Sequence, residues 1–270
     1  MGALRYRRVM PSGSSHSTSG RGRETDFGFR RVDRGDHAGL VGEVFSSVAG
    51  RYDLMNDLMS GGLHRIWKQA LIDWLAPRPG QRLLDVAGGT GDVALRFLDR
   101  LADQGGGGSA VICDPSLDML EVGRRRALDR GVIAGLSHVR APAEALPVAG
   151  RAVDFCTISF GLRNVTERAA ALAEMHRVLD YGGHFLCLEF SPSVLPMLAP
   201  AYDAYSFRVL PWMGQRITGD RVAYQYLAES IRRFPEPGIL ADEMRDAGFG
   251  NVTWRAFSAG IVAIHSGWRV

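Results

Sequence analysis

Apolar residues recur at helical spacing across residues 40–59, with a break near Gly50, and again across residues 63–75, where Ala-Pro-Arg-Pro-Gly stops the pattern. Two N-terminal helices are predicted there. The period then shortens to strand-like apolar runs at residues 82–86, 110–114, 138–140, 153–160 and 184–190, separated by helical patterns at 92–102, 115–129 and 166–179. In the last helix Leu172, Met175 and Leu179 fall on one side, and Gly182-Gly183 is expected to end it. Repeated β-α units predict a parallel sheet covered by helices on both faces. The alternation breaks after Ser191, and residues 192–236, rich in Tyr, Pro, Leu and Met, read as an inserted helical cover. A helix over 236–247, closed by Gly248, precedes two strands at 251–257 and 261–265, joined as an antiparallel hairpin at the sheet edge.

Length and composition fit one large globular domain or a domain plus a tail. The 270 residues are 46% hydrophobic, enough for a substantial core. The net charge of +3 conceals an asymmetry, because residues 1–35 carry eight Arg against Glu24, Asp26 and Asp33. That leaves 24 basic and 26 acidic residues elsewhere, so the folded part has no basic excess with which to displace counterions, and a nucleic-acid partner is disfavoured. Residues 1–35 read as a disordered Arg/Ser/Gly-rich leader, and 36–270 as a single domain. The first 23 residues lack acids, as a transit peptide does, but are too poor in apolar residues for a good amphipathic helix; Met10 is an alternative start. Cys113, Cys156 and Cys187 each sit in an apolar run and read as reduced core residues. No run approaches the length of a membrane span, and no His/Cys/Asp set has metal-ligand spacing.

The chemistry is concentrated after the first of the alternating strands. Residues 84–92 read Leu-Asp-Val-Ala-Gly-Gly-Thr-Gly-Asp, ending at a predicted helix start. Gly88, Gly89 and Gly91 allow positive φ and let a ligand approach main-chain N–H groups. Asp114, ending the next strand, stands where a carboxylate accepts ribose hydroxyls. The loop lacks full Gly-x-Gly-x-x-Gly spacing, which weakens a nicotinamide reading. It matches better the Asp-x-Gly-x-Gly-x-Gly loop of S-adenosylmethionine-dependent methyltransferases, with Ala87 replacing the first glycine.

Four further stretches carry a narrower likeness: residues 44–68 (VFSSVAGRYDLMNDLMSGGLHRIWK), 157–166 (TISFGLRNVT), 201–207 (AYDAYSF) and 226–231 (YLAESI). With the glycine loop they resemble the ubiquinone/menaquinone biosynthesis C-methyltransferases, from about Asp26 to the C-terminus. The resemblance implies the class I methyltransferase fold, Rossmann-like and α/β. Its sheet is mostly parallel and seven-stranded, with an antiparallel C-terminal hairpin strand, N-terminal helices and a helical insertion after the fifth strand. It also implies methyl transfer from S-adenosylmethionine to a ring carbon of a polyprenylated quinol, either a 2-methoxy-6-polyprenyl-1,4-benzoquinol or a demethylmenaquinol. Cofactor binding carries over to Thr90, Asp114, the pair Pro142-Ala143 and Ser159, beside the loop residues Asp85, Gly88, Gly89 and Gly91. Pro142 departs from the family's usual Asn and removes both an amide side chain and a backbone N–H. Asp180-Tyr181 replaces a usual Lys-Pro, and the loop 148–151 lacks the usual Pro-Asp turn.

Ring methylation needs a quinolate aligned with the sulfonium methyl, and alignment alone is worth roughly 7–11 kcal/mol. Arg163 and Asn164 follow the fourth strand, at the carboxyl edge where ligands bind, and are the candidates to stabilise the quinolate oxygen and orient the ring. A structural Arg163 paired with Glu167 is the alternative. Arginine is a poor proton acceptor, so the base is a water or another side chain. Tyr52 is a third catalytic candidate; Asp53, Asn56 and His64 share its helices, where packing is an equally good reason for them, and His64 is a candidate base. Met55, Leu58, Met59, Met197, Leu198 and Met213 are candidate walls of a prenyl channel. Asp85 is expected to orient the loop.

The expected partners are the quinol, transient contact with a membrane surface, other quinone-pathway enzymes and a second copy of the chain. The expected location is cytoplasmic, at the inner face of the membrane. A non-catalytic scaffold and a methyltransferase of the same fold acting on another small molecule stay open as alternatives.

Overall fold

The structure, a computed structural model, describes residues 24–48, 54, 56–57, 60–195, 197–217 and 221–270. A small hairpin comes first, β1 (Glu24–Phe27) antiparallel to β2 (Arg30–Asp33), followed by α1 (Arg34–Val48). These ten strand and turn residues fall within the stretch that charge alone assigned to a leader. They are ordered by tertiary contacts: Phe27 is buried and stacks on Tyr226 with centroids 4.3 Å apart, and the Phe29 N–H donates to Glu229 Oε2 at 3.0 Å.

From α2 (His64–Leu75) onward the chain alternates as the pattern predicts: β3 (Arg82–Val86), α3 (Asp92–Asp103), β4 (Ser109–Asp114), α4 (Leu117–Asp129), β5 (Leu136–Arg140), β6 (Val153–Ser159), α5 (Arg168–Val178) and β7 (Leu179–Phe190). The helical cover comprises α6 (Ala199–Ala204), a π-helical stretch (Tyr205–Val209), α7 (Leu210–Ile217) and α8 (Arg221–Arg233). The chain then forms α9 (Pro237–Asp246), β8 (Gly250–Phe257) and β9 (Val262–Trp268). The seven strands stand in the order β5-β4-β3-β6-β7-β9-β8. The first five are parallel, and β9 runs antiparallel between β7 and β8. The reversed strand is therefore inside the sheet, and β8 takes the edge.

Side-chain alternation divides the core. Leu83, Leu186, Leu188 and Phe190 face one helical layer, while Leu84, Val86, Phe185 and Cys187 face the other. Cys113, Cys156 and Cys187 are buried, unbridged and all on this second face. In α3 the buried residues Val93, Ala94, Phe97 and Leu101 form one stripe against the sheet.

Gly182-Gly183 does not end a helix. α5 stops at Val178, and the two glycines lie in a bulge of β7, where Val153 faces Leu179 but Phe155 faces His184. The end of α5 is instead satisfied by Arg269, whose Nη1 donates to the carbonyls of His176, Arg177 and Leu179 at 2.7–3.0 Å.

Candidate functional site

The strand order reverses at β3, and the crevice beyond the carboxyl ends of β3, β4, β5 and β6 is where an open α/β sheet takes a ligand. A cavity of about 660 Å³ lies there. Its floor is Ala87, Gly89 and the segment from Asp114 to Met119; Pro142, Ala143 and Glu144 form one wall; Phe160, Gly161 and Asn164 form another; Ala38, Val41, Gly42 and Phe45 of α1 roof it.

The loop after β3 turns through left-handed conformations at Ala87 (φ 49°), Gly89 (φ 53°) and Gly91 (φ 78°). Glycine is required at two of its positions by proximity. A Cβ on Gly88 would stand 2.8 Å from Asp85 Oδ2, and one on Gly89 would stand 3.0 Å from Met119 Cε. The Gly89 N–H donates to Asp114 Oδ2 at 2.9 Å, tying the loop to the end of β4, while Asp114 Oδ1 accepts the Ser116 N–H at 2.9 Å. Burial pushes the Asp114 carboxyl up to about 6 against the pull of these two backbone bonds.

Asp85 is fully buried under Gly88 and accepts the Thr157 hydroxyl at 2.7 Å. Burial raises its pKa to about 7, opposed by that hydrogen bond and by the charge of Lys68. Lys68 is the chain's only lysine and pairs with Asp92 at 3.0 Å, linking α2 to the first turn of α3. Burial alone would push Asp92 up, but Lys68 and Arg96 overcome it and hold the carboxyl at about 2.

The predicted residues are not all in one place. Gly89, Asp114, Pro142, Ala143 and Asn164 line the cavity. Asp85, Gly88 and Gly91 support the loop from behind. Ser159 stands at the end of β6, its buried hydroxyl without a partner. Thr90 turns away, its Oγ1 accepting Arg126 Nη1 at 3.0 Å. Tyr52, Asp53, Met55, Leu58 and Met59 lie outside the described residues. His64 is buried, with Nδ1 3.0 Å from Ser60 Oγ and its pKa lowered by burial. Met197 and Leu198 are 90% and 43% exposed, on the outer surface and away from the cavity, so they are not walls of a channel through it.

Arg163 is placed differently from the expectation. Its partner is Glu189, not Glu167: Nη1 donates to Glu189 Oε1 and to the Phe160 carbonyl, each at 2.6 Å, and both charged side chains are almost fully buried. It lines a second cavity of about 360 Å³, which shares Val165 and Thr166 with the first. Its Nε is buried without a partner. Asn164 Oδ1 accepts the Tyr226 hydroxyl at 3.0 Å.

Sequence reasoning passed over Glu189, Tyr226 and Phe160. A lone acid near the end of the apolar run of β7 was the available signal for Glu189. Phe160 (φ 57°) lay within the 157–166 stretch of family likeness, but nothing local marked its strained backbone, which arises from the turn it closes over the cavity.

Residues 32–269 match the ubiE/COQ5 methyltransferase family. The chain belongs to that family. It is 56% identical over 248 residues to the Paracoccus denitrificans protein named ubiquinone/menaquinone biosynthesis C-methyltransferase UbiE, covering 92% of this chain and 98% of that one. The protein of the same name from Bradyrhizobium diazoefficiens is 54% identical over 92% of this chain and 98% of its own. Among solved structures, a possible histamine N-methyltransferase from Thermotoga maritima has a TM-score of 0.59 at 18% identity, covering 84% of this chain and 99% of its own. The [4+2]-cyclase SpnF reaches 0.61 at 18% identity, covering 86% and 96%. These likenesses establish the class I methyltransferase fold, and the family establishes an S-adenosylmethionine-dependent C-methyltransferase.

The residues present suit that cofactor. Two buried acceptors, Asp85 Oδ2 and Ser159 Oγ, lack partners beside a glycine cradle that a Cβ would fill, and Asp114 keeps a free lone pair on each oxygen.

Proposed function

We propose that the chain methylates a ring carbon of a polyprenylated quinol, a 2-methoxy-6-polyprenyl-1,4-benzoquinol, a demethylmenaquinol or both, as the names of its relatives indicate for them. The observation that carries this reading is one cavity bounded both by the glycine loop with Asp114 and by the Phe160–Asn164 segment. Its one end would suit a nucleoside and its other an aromatic ring.

S-adenosylmethionine, when bound, supplies a methyl group on a sulfonium, open to attack by a carbon nucleophile. Asp114 would accept the ribose hydroxyls, and the glycine loop around Gly89 would allow the cofactor's close approach. Asp85, held by Thr157, orients the loop under Gly88. Ala143 would pack against the adenine; Pro142, without an N–H, would offer shape there and no hydrogen bond. Ser159 offers its unpartnered hydroxyl.

On the acceptor side, Val41, Phe45 and Phe160 exclude water, which strengthens every charge interaction inside. Asn164 spends its Oδ1 on Tyr226, leaving its amide nitrogen as the donor available to a ring oxygen. Arg163 positions the Phe160 carbonyl through Nη1 and, paired with Glu189, braces the Phe160–Asn164 wall from the neighbouring cavity.

The test is incubation of the full-length protein with methyl-labelled cofactor and each quinol, followed by mass spectrometry. One added methyl on a ring carbon is expected. Asp114→Asn should weaken cofactor affinity by about tenfold or more, the worth of a hydrogen bond to a charged group. Protein that binds the cofactor yet methylates neither quinol would refute the acceptor, and absence of cofactor binding would favour the scaffold.

A further inference from the structure

The outer surface of the helical cover carries exposed aromatic rings interleaved with arginine. The stretch from Ala199 to Ile217 buries Ser206, Leu210 and Gly214, and leaves outward a stripe of exposed residues containing Phe207, Arg208, Trp212 and Arg216. Trp212 is 60% exposed with Arg216 over its ring at 5.8 Å. The surface extends to the hairpin. Phe29, at the turn between β1 and β2 and 51% exposed, stacks on Phe207 with centroids 6.1 Å apart, and Arg233 lies over Phe29 at 5.8 Å.

Charge on this face is predominantly basic: Arg208, Arg216 and Arg233 outnumber Glu229, which accepts the Phe29 N–H at the hairpin turn. Asp203 is the only acid between residues 192 and 217, and it is paired with Arg232. Exposed aromatic rings interleaved with arginine are the chemistry of a membrane-water interface, where ring bodies enter the headgroup boundary and cations meet anionic lipid. A second copy docked face to face would set like charges opposite one another, which disfavours that occupant.

We propose that the outer face of residues 199–217, with the hairpin turn at Phe29, is a docking surface for an anionic lipid bilayer. The inference rests on the polyprenylated-quinol reading for its purpose, since such an acceptor resides in the bilayer. Its physical basis, the aromatic and cationic face, is independent of that reading. The helix lies flat in the interface, and no helix among the described residues is long and apolar enough to cross a membrane.

The experiment is sedimentation of the full-length protein with vesicles of phosphatidylcholine, alone or mixed with phosphatidylglycerol, together with tryptophan emission. Binding to the mixed vesicles, weakened by salt and accompanied by a blue shift, is expected. Arg208→Ser combined with Arg216→Ser should weaken binding about 25-fold, at about fivefold for each arginine. Trp212→Ser should abolish most of the blue shift, whereas Trp254→Ser, at an exposed ring on β8, should leave it intact. All three variants should methylate a water-soluble short-tail quinol at the normal rate. Wild-type protein that ignores anionic vesicles, an Arg208→Ser/Arg216→Ser protein that binds as wild type does, or self-association lost with Trp212 would overturn the proposal. Vesicle binding without quinol methylation would sink the acceptor and leave the docking surface standing.

Discussion

At the scale of single residues, the loop after β3 trades backbone strain for a particular close approach. Ala87 adopts a left-handed φ of 49° that costs an L-residue with a Cβ roughly 1–2 kcal/mol. Its methyl also excludes a side chain at position 161, where a Cβ would stand 2.5 Å from Ala87 Cβ. Ala87→Gly should therefore raise stability by about 1 kcal/mol in denaturant titration. Gly161→Ala, disruptive alone, should be largely rescued in the Ala87→Gly background. Independent, additive effects of the two substitutions would contradict this account.

At the scale of elements, β6 and β7 are joined beyond their ladder by the Arg163–Glu189 pair. Glu189 Oε1 also accepts its neighbour's N–H at Phe190 (2.9 Å), and Oε2 accepts the Arg163 N–H at 3.3 Å, so one carboxylate organises the turn after β6. Removing one partner of a buried pair leaves the other charge uncompensated. Glu189→Gln should cost about 3–5 kcal/mol of unfolding free energy, and adding Arg163→Met should recover most of it. A Glu189→Gln protein as stable as wild type would show that the pair carries little of the turn. The hairpin enters the same network from the other side, through Phe27 on Tyr226 and Tyr226 on Asn164.

At the scale of the whole molecule, the ligand-binding edge gathers buried acids, and their ionisation is linked to folding. Asp85 moves from an ordinary 3.8 to about 7, so the folded state holds its proton more tightly than the unfolded state. Its contribution to stability is fully present below about 3.8 and is lost as pH rises through about 7. Asp114, raised to about 6, behaves in the same sense, whereas His184 and His265, lowered to about 4 by burial, act oppositely. The clean measurement is a difference. The melting temperature of Asp85→Asn relative to wild type should climb between those two pH values and then level off. A difference independent of pH would mean that Asp85 is not buried as an acid.

Periodicity alone located every strand of the main sheet and the helices between them, because each buries a face whose period is local. The glycine loop and Asp114 were equally legible, since backbone turns and a strand end are short-range features. Long-range pairing was not. The hairpin of residues 24–33 depends on Tyr226 and Glu229, some 200 positions away, and charge composition pointed to a leader instead. Gly182-Gly183 lies in a bulge, and the end of α5 is satisfied from far along the chain by Arg269, just beyond the last strand. Arg163 was found by motif, but its partner comes from the neighbouring strand, so its burial and direction follow from sheet order. Local patterns write elements and loops; which buried charges meet is decided by packing, because desolvation leaves each one only the partner that the fold delivers.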